Sequence, residues 1–466
     1  RANGCASPLA ILIASCDNGN PSRHTAKGVT VAARVNGGQV GHERSSLAAS
    51  ARVAGHEPLC GGEYRVSQDS ETPTIAKPLL WLAVTHPGLR HAGNQVYSGG
   101  LLDALAQRGQ AITLLTQDDG PAVSRITVET AALPAFRPRA AGIGSRWPAS
   151  VWQLAHPKMR RRLHRLLDRQ SWRAVVIDQA ACGWAAPIVA AHGLPIVYIA
   201  HNHEASVRPQ VASGAASAFK RAVLRHDAGK YARLEREVVQ SASLITAITA
   251  QDAAAFAQDS GSARIIELSP GYSGPRVAAR TLSAGTPRRV VLVGRFEWIA
   301  KQQNLVRWAA EAVAHLAGEN IETQVVGTVP DALRQRLEQP GLTFAGRVPD
   351  LTPYLANARL GLVAEDVGGG FKLKTLDYIF HRLPVAALAD NLAGQPLDVT
   401  AACLTAETPA ALANAIAQGI DNLERLNQMQ QNAFDAAAAA FDWSERAERF
   451  MRALESLDRQ PPTRQE

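Results

Sequence analysis

The sequence predicts an α/β protein made of two successive doubly wound units, each a parallel β-sheet with helices on both faces. Two observations carry this prediction. Short runs rich in Val, Ile and Leu, bounded by Gly, Pro or polar residues, alternate with helix-length apolar periodicity from Pro78 onward. The alternation stops once, in the polar and aperiodic stretch 271–289, and then begins again. The length of 466 residues agrees, being too great for one core.

In the first unit, "LLWLAVTH" (79–86) reads as a buried strand, followed by a Gly-bearing loop and a helix around 96–108. "AITLLT" (111–116), "AVVID" (174–178), "PIVYIA" (195–200), "LITAIT" (244–249) and "RIIELS" (264–269) supply further strands. After the break, "VVLVG" (290–294) leads to a helix from about Asn304. It is followed by "TQVVG" (323–327), "LTFAG" (342–346), "LGLVA" (360–364) and "LPVAALA" (383–389). The organisation is a leader over 1–76, a first unit over 77–272 and a linker over 273–286. A second unit over 287–440 and a C-terminal helix with its tail over 441–466 complete it.

The leader is rich in Gly, Ser, Ala, Asn and Arg and reads as disordered or artefactual. Its "LAILIASC" ends like a lipoprotein processing site, but the apolar core is short and the preceding charged region nearly absent. Five scattered cysteines without a C-x-x-C pair indicate neither a disulfide framework nor a zinc site, so a reducing compartment, the cytoplasm, is expected. No apolar run is long enough to span a bilayer. The formal charge of +8 suits an anionic ligand or surface. Nucleic acid is not expected as a partner, with aromatics at only 5% and no recognition motif.

Open α/β sheets bind ligands beyond the carboxyl ends of their strands, so chemistry belongs in the cleft where the two units face each other. In "VGRFEWIAKQQN" a strand is followed by Arg295 and Lys301, two cations able to clamp a diphosphate. In "GGGFKLKTLDYIF", Gly368, Gly369 and Gly370 let backbone N–H groups approach an anion, and Lys374 and Asp377 share a helix face. A lysine near phosphate with a carboxylate one turn deeper for ribose hydroxyls is coherent nucleotide chemistry. The stretch misses the nucleoside-triphosphate loop because Leu373 stands where backbone must lie against phosphate. In the first unit, His91, Gly93 and Asn94 follow the first strand, and "YIAHNHE" sets His201, Asn202, His203 and Glu204 at a strand end. A His or carboxylate at such a strand end is a natural acid/base or a ligand for sugar hydroxyls. A metal is not expected, for no third and fourth ligand stand at suitable spacing to the histidines.

Taken together, these motifs resemble the GT-B glycosyltransferases, closest to the group 1 (family 4-like) bacterial polysaccharide enzymes, over about 79–455. "AQRGQAITLLT" is similar to the family's helix-to-strand segment, with Gln110 in place of its usual His. "LTFAGRVPDLTPYLANARL" and "GGGFKLKTLDYIFHRLPVAA" are similar to its donor-domain segments. The resemblance implies a fold of two Rossmann-like domains facing each other across a cleft: an N-terminal acceptor domain and a C-terminal donor domain. It implies hexosyl transfer from a nucleotide-diphosphate sugar to a glycan or polyprenyl-linked acceptor in surface or exopolysaccharide synthesis, without a metal or other cofactor. Donor contacts would be Arg295, Lys301, Gly368, Gly369, Gly370, Lys374 and Asp377. His201 would contact the transferred sugar, and His91, Gly93 and Asn94 would form the acceptor-side loop. Many retaining members carry two Glu eight positions apart; here Gly369 and Asp377 hold those places, with Glu365 or Asp366 as substitutes, which leaves retention or inversion open. His201 and, next, Glu204 are the catalytic candidates the resemblance implies, with Glu204 or a first-loop residue as the base for inversion. A nucleotide-sugar epimerase of the same fold and a non-catalytic nucleotide-sugar-binding protein are the alternatives.

"WQLAHPKMRRRLHRLLDRQSWR" (152–173) reads as a basic amphipathic helix. It would lie on an anionic bilayer at the inner face of the cytoplasmic membrane, or pack its Leu face on the sheet.

Overall fold

Seven parallel strands form the first sheet: β1 (Leu79–Leu82), β2 (Ile112–Thr116), β3 (Ile126–Thr130), β4 (Ala174–Asp178), β5 (Ile196–Ala200), β6 (Leu244–Ala247) and β7 (Arg264–Glu267). Their order is β3-β2-β1-β4-β5-β6-β7. The second sheet contains β8 (Arg289–Val293), β9 (Glu322–Val326), β10 (Leu342–Gly346), β11 (Leu360–Val363), β12 (Val385–Leu388) and β13 (Leu404–Ala406). It runs β10-β9-β8-β11-β12-β13, again all parallel. Both orders reverse once, between β1 and β4 and between β8 and β11, the points beyond which open α/β sheets bind their ligands. This computed structural model describes residues 77–90, 92–131, 133, 142–215 and 217–458. The leader 1–76 and His91 lie outside the described residues.

Central strands are apolar on both sides because helices cover both faces: every residue of β4 and β5 is buried. All four edge strands, β3, β7, β10 and β13, are only partly buried, and in β3 and β13 polar Thr and Glu or a length of three residues leave no continuous apolar run. Helix Gly93–Gln107 begins earlier than periodicity predicts, which puts Gly93 and Asn94 in its first turn rather than in the loop. Helix Ile299–Trp308 likewise begins before Asn304 and takes in Lys301.

The reading of 152–173 as one helix needs correction. Helices Ala149–Leu154 and Pro157–Arg169 are separate, the second started by Pro157 and capped by His156, whose Nδ1 accepts from the Lys158 N–H at 3.1 Å. Met159, Leu163, Leu166 and Leu167 are buried in the core of the first sheet, so this apolar face is not free for lipid. Arg162 and Arg169 both pair with Glu129 on β3. Lys158, Arg160, Arg161 and Arg165 remain exposed on the outer side.

Two chain crossings join the sheets. The segment after β7 leads into the second sheet, and the chain returns at Phe441 to the final helix Trp443–Asp458. Trp443, Phe450 and Leu454 of that helix pack with Trp81, Tyr97 and Leu101 of the first sheet's layer. Each such fully buried large side chain contributes roughly 1.5–3 kcal/mol. The Tyr272 N–H donates to the Phe441 carbonyl at 3.1 Å, so the crossings lie side by side. Val207 and Val211 of helix Glu204–Ser213 pack on Ile299 and Ala300, closing one flank of the cleft with an apolar contact.

Candidate active site

Beyond β11 the chain reaches Glu365, whose position is fixed by a side-chain clamp. Its N–H donates to Asn391 Oδ1 at 2.8 Å, and Asn391 Nδ2 donates back to the Glu365 carbonyl at 2.7 Å. Asn304 clamps Val367 in the same reciprocal way, at 2.9 and 2.8 Å. Two buried amides thus hold the loop that carries the charge.

Three lysines converge on the Glu365 carboxylate. Lys301 Nζ lies 2.5 Å from both oxygens, Lys374 Nζ 2.5 Å from Oε1 and Lys372 Nζ 3.4 Å from Oε2. Burial alone would raise the Glu365 carboxyl, but Lys301, Lys374 and Lys372 hold it well below the usual range. Burial, only partly offset by Glu365, lowers Lys374 to about 8 and lowers Lys372 as well. Three ammonium groups around one carboxylate leave a formal excess of two positive charges at the second sheet's reversal point. A buried excess of charge is costly unless an anion completes it.

The glycine loop lies against this cluster. Gly368 and Gly370 have φ of 107° and 73°, a left-handed region that glycine occupies without strain. Lys372 Nζ donates to the Gly368 and Gly369 carbonyls at 3.1 and 2.8 Å, drawing both carbonyls toward its buried ammonium. Lys372 was not singled out by spacing; its only sequence signal is the Lys-x-Lys pair before the short helix Lys374–Phe380. Gly369 stands where a carboxylate is expected by resemblance, and the structure supplies a steric reason. A Cβ there would come within 2.9 Å of Val207 Cγ2. A Cβ on Gly370 would overlap Asn202 Oδ1 and lie 3.1 Å from the His201 carbonyl, so the loop abuts the end of β5.

On the first sheet, Asp178 ends β4 and His201 follows β5. His201 Nε2 lies 2.8 Å from Asp178 Oδ1 and 3.4 Å from Ser98 Oγ, and Tyr97 meets its ring edge-on at 5.1 Å. Asp178 is buried, and its other oxygen accepts from Trp81 Nε1 at 3.0 Å. Gly93 faces the second sheet's loop, where a Cβ would meet Leu373 Cδ1 at 3.3 Å. Asn94 is half-buried in the same helical turn.

Other expected groups are engaged elsewhere. Glu204, the candidate base, pairs with Arg208 at 2.6 Å, and that guanidinium lies over Tyr231. Its carboxylate is therefore engaged within its own helix. Arg295 pairs with Glu297 at 2.6 Å, and Asp366 with Arg307 at 2.9 Å. Asp377 accepts from Tyr272 Oη at 3.2 Å, and burial, opposed by that bond, raises it to about 6. His203 Nδ1 bonds Ser206 Oγ at 2.6 Å and serves the start of its helix. No group of three or more metal-ligating side chains occurs among the described residues.

Comparison with known proteins is consistent across the two sheets. Residues 92–271 match the family described as glycosyl transferase 4-like domain, and residues 287–422 match glycosyl transferases group 1. Anabaena Alr3699/HepE, solved in complex with UDP and glucose, is similar at TM-score 0.55 and 16% identity, over 82% of this chain and 100% of that one. WaaG, a glycosyltransferase involved in lipopolysaccharide biosynthesis, is similar at TM-score 0.57 and 15% identity over 82% and 100%. An α,α-trehalose-phosphate synthase (UDP-forming) from Burkholderia vietnamiensis is similar at TM-score 0.56 and 14% identity over the same shares, 82% and 100%. At these identities the structural likeness concerns the fold. No curated protein matches the chain.

Proposed function

The chain is a group 1 glycosyltransferase of GT-B fold, and on that premise we propose that it moves a hexosyl unit from a nucleoside-diphosphate sugar to a glycan or polyprenyl-linked acceptor. The observation that carries this reading is the cluster of Lys301, Lys372 and Lys374 around buried Glu365. Its unbalanced positive charge fits a diphosphate. The acceptor oxygen bonds the anomeric carbon and gives up its proton as the C–O bond to the diphosphate breaks; the electron pair passes to the diphosphate, and Lys301 and Lys374 neutralise it. The glycine loop adds backbone N–H groups. Asp377 would receive the ribose hydroxyls once Tyr272 yields its bond, and His201 would face the transferred sugar. UDP and glucose in the HepE complex favour a uridine diphosphate donor.

The role in surface or exopolysaccharide synthesis draws support from the lipopolysaccharide enzyme among the similar structures. Contact with the inner face of an anionic membrane would use the outer cations Lys158, Arg160, Arg161 and Arg165, since the Leu face is buried. Trp147 and Trp152 line a cavity of about 530 Å³ beside them. Flotation with anionic liposomes tests this, and no association at low salt would remove the membrane contact.

A panel of UDP-, GDP- and ADP-sugars, scored for nucleotide release with and without acceptor, tests the main proposal. Release that depends on acceptor is expected. Isomerised donor without transfer, or donor binding without any turnover, would overturn it.

A further inference from the structure

Asp178 is a buried carboxylate whose two oxygens are both committed. Oδ2 accepts the Trp81 indole N–H at 3.0 Å, and Oδ1 faces His201 Nε2 at 2.8 Å. A carboxylate in such a pair accepts, so Nε2 carries the proton and, in the neutral ring, Nδ1 holds the lone pair. Nδ1 has no hydrogen-bond partner among the described residues. Nor is it one of the buried polar atoms sealed without a partner. The His201 side chain keeps about 10% of its surface exposed at the end of β5, next to the glycine loop that packs on the His201 carbonyl.

We propose that Asp178 is a positioning residue that locks His201 in the Nε2–H form and presents Nδ1 to the cleft as acceptor for a substrate sugar hydroxyl. The identity of that hydroxyl rests on the transferase reading; the locking of the ring does not. Three contacts set the ring plane. Asp178 and Ser98 hold one nitrogen, and Tyr97, itself anchored by its hydroxyl to the Leu268 carbonyl at 2.7 Å, bounds the edge. Trp81 sets the direction of the device. Its indole can only donate, so whichever atom of residue 178 faces it must be an oxygen. In Asp178→Asn that demand turns the amide NH2 toward His201 Nε2. The ring must then accept at Nε2 and carry its proton on Nδ1, and the cleft-facing acceptor becomes a donor.

The test uses the full chain with ¹⁵N-labelled histidine, the His201 signals being assigned by loss in His201→Gln. Wild type is expected to show Nε2 protonated and Nδ1 bare, and Asp178→Asn the reverse. For the sugar donor, kcat/KM in Asp178→Asn should fall by about 10- to 100-fold, the scale of one substrate hydrogen bond lost and its hydroxyl left facing a donor. Affinity for UDP, which carries no sugar, should stay within about threefold. Adding Trp81→Phe frees the new amide at position 178 to turn its oxygen toward His201, so the double variant should regain kcat/KM relative to Asp178→Asn. An unchanged His201 tautomer in a folded Asp178→Asn protein, or kcat/KM within about threefold of wild type, would overturn the proposal. Wild-type protein that binds UDP but transfers no sugar would instead break the transferase reading, with the ring signals still deciding the role of Asp178.

Discussion

Tyr272 Oη donates to Asp377 Oδ1 at 3.2 Å while its ring stacks on Phe380 at 4.4 Å, bonding the crossing between the sheets to a carboxylate one helical turn from Lys374. Burial raises Asp377 to about 6, and the Tyr272 bond opposes the rise. An ionised carboxylate is the stronger acceptor for ribose hydroxyls, so UDP affinity should weaken as pH falls through about 6. In Tyr272→Phe the opposing bond is lost and the inflection should move to higher pH. In Asp377→Asn it should vanish when the ligand is a UDP-sugar, whose diphosphate does not titrate in this range. Calorimetric titrations with a UDP-sugar between about pH 5 and 8 would show it, and a flat profile in wild type would contradict the assignment.

The lysine cluster predicts the opposite trend on the alkaline side. Lys374, lowered to about 8 by burial, loses its charge as pH rises through that value, so UDP affinity should fall there. Lys301→Ala and Lys374→Ala should each weaken UDP binding by about 10- to 100-fold, as expected for a lost charged hydrogen bond of about 1.5–3 kcal/mol. Binding isotherms at about pH 7 and pH 9 check both statements. Affinity unchanged in both variants would move the diphosphate elsewhere.

Gly369 is predicted to be a steric necessity of the closed cleft. Gly369→Ala places a methyl against Val207 and should destabilise the protein by about 1–3 kcal/mol through overpacking. Val207→Ala added to Gly369→Ala should recover part of that loss. Denaturant melts of the two single variants and the double variant give the coupling directly.

Gly100 should tolerate no side chain while the last helix is docked. A Cβ there would overlap the indole of Trp443, so Gly100→Ala should lower stability by about 1–3 kcal/mol. Proteolysis of the 441–458 segment should rise in parallel, as read by peptide mapping.

Much of this architecture is legible in the chain because its signals are local. β4 and β10 fall on 174–178 and 342–346 as alternation predicts, each a compact run between turn residues. The edge strands β3 and β13 escape because Thr and Glu interrupt ITVET and LTA is only three residues long, whereas the similarly exposed edge strand β10 keeps a readable run. Lys301 and Lys374 can be picked out by their place after strands, but what holds them cannot. Glu365 becomes their counter-ion only when helix Ile299–Trp308 brings Lys301 back across 64 residues. Asp178 is harder still, since its meaning depends on Trp81, 97 residues before it, and on His201, 23 residues after. The stretch 152–173 shows a different limit. One periodicity serves a helix on lipid and a helix on a sheet, and only Leu163 and Leu166 buried under it decide between them.

The return of the chain at Phe441 has a consequence for how such a protein can be recombined. Trp443, Phe450 and Leu454 belong in sequence to the second half and in packing to the first. A module cut at the crossing near Tyr272 would leave Trp81 and Leu101 uncovered, however well its strands were chosen. Exchange of donor specificity between relatives by swapping halves should therefore succeed only when the final helix travels with the first sheet, so that heredity of the fold follows contact rather than chain order.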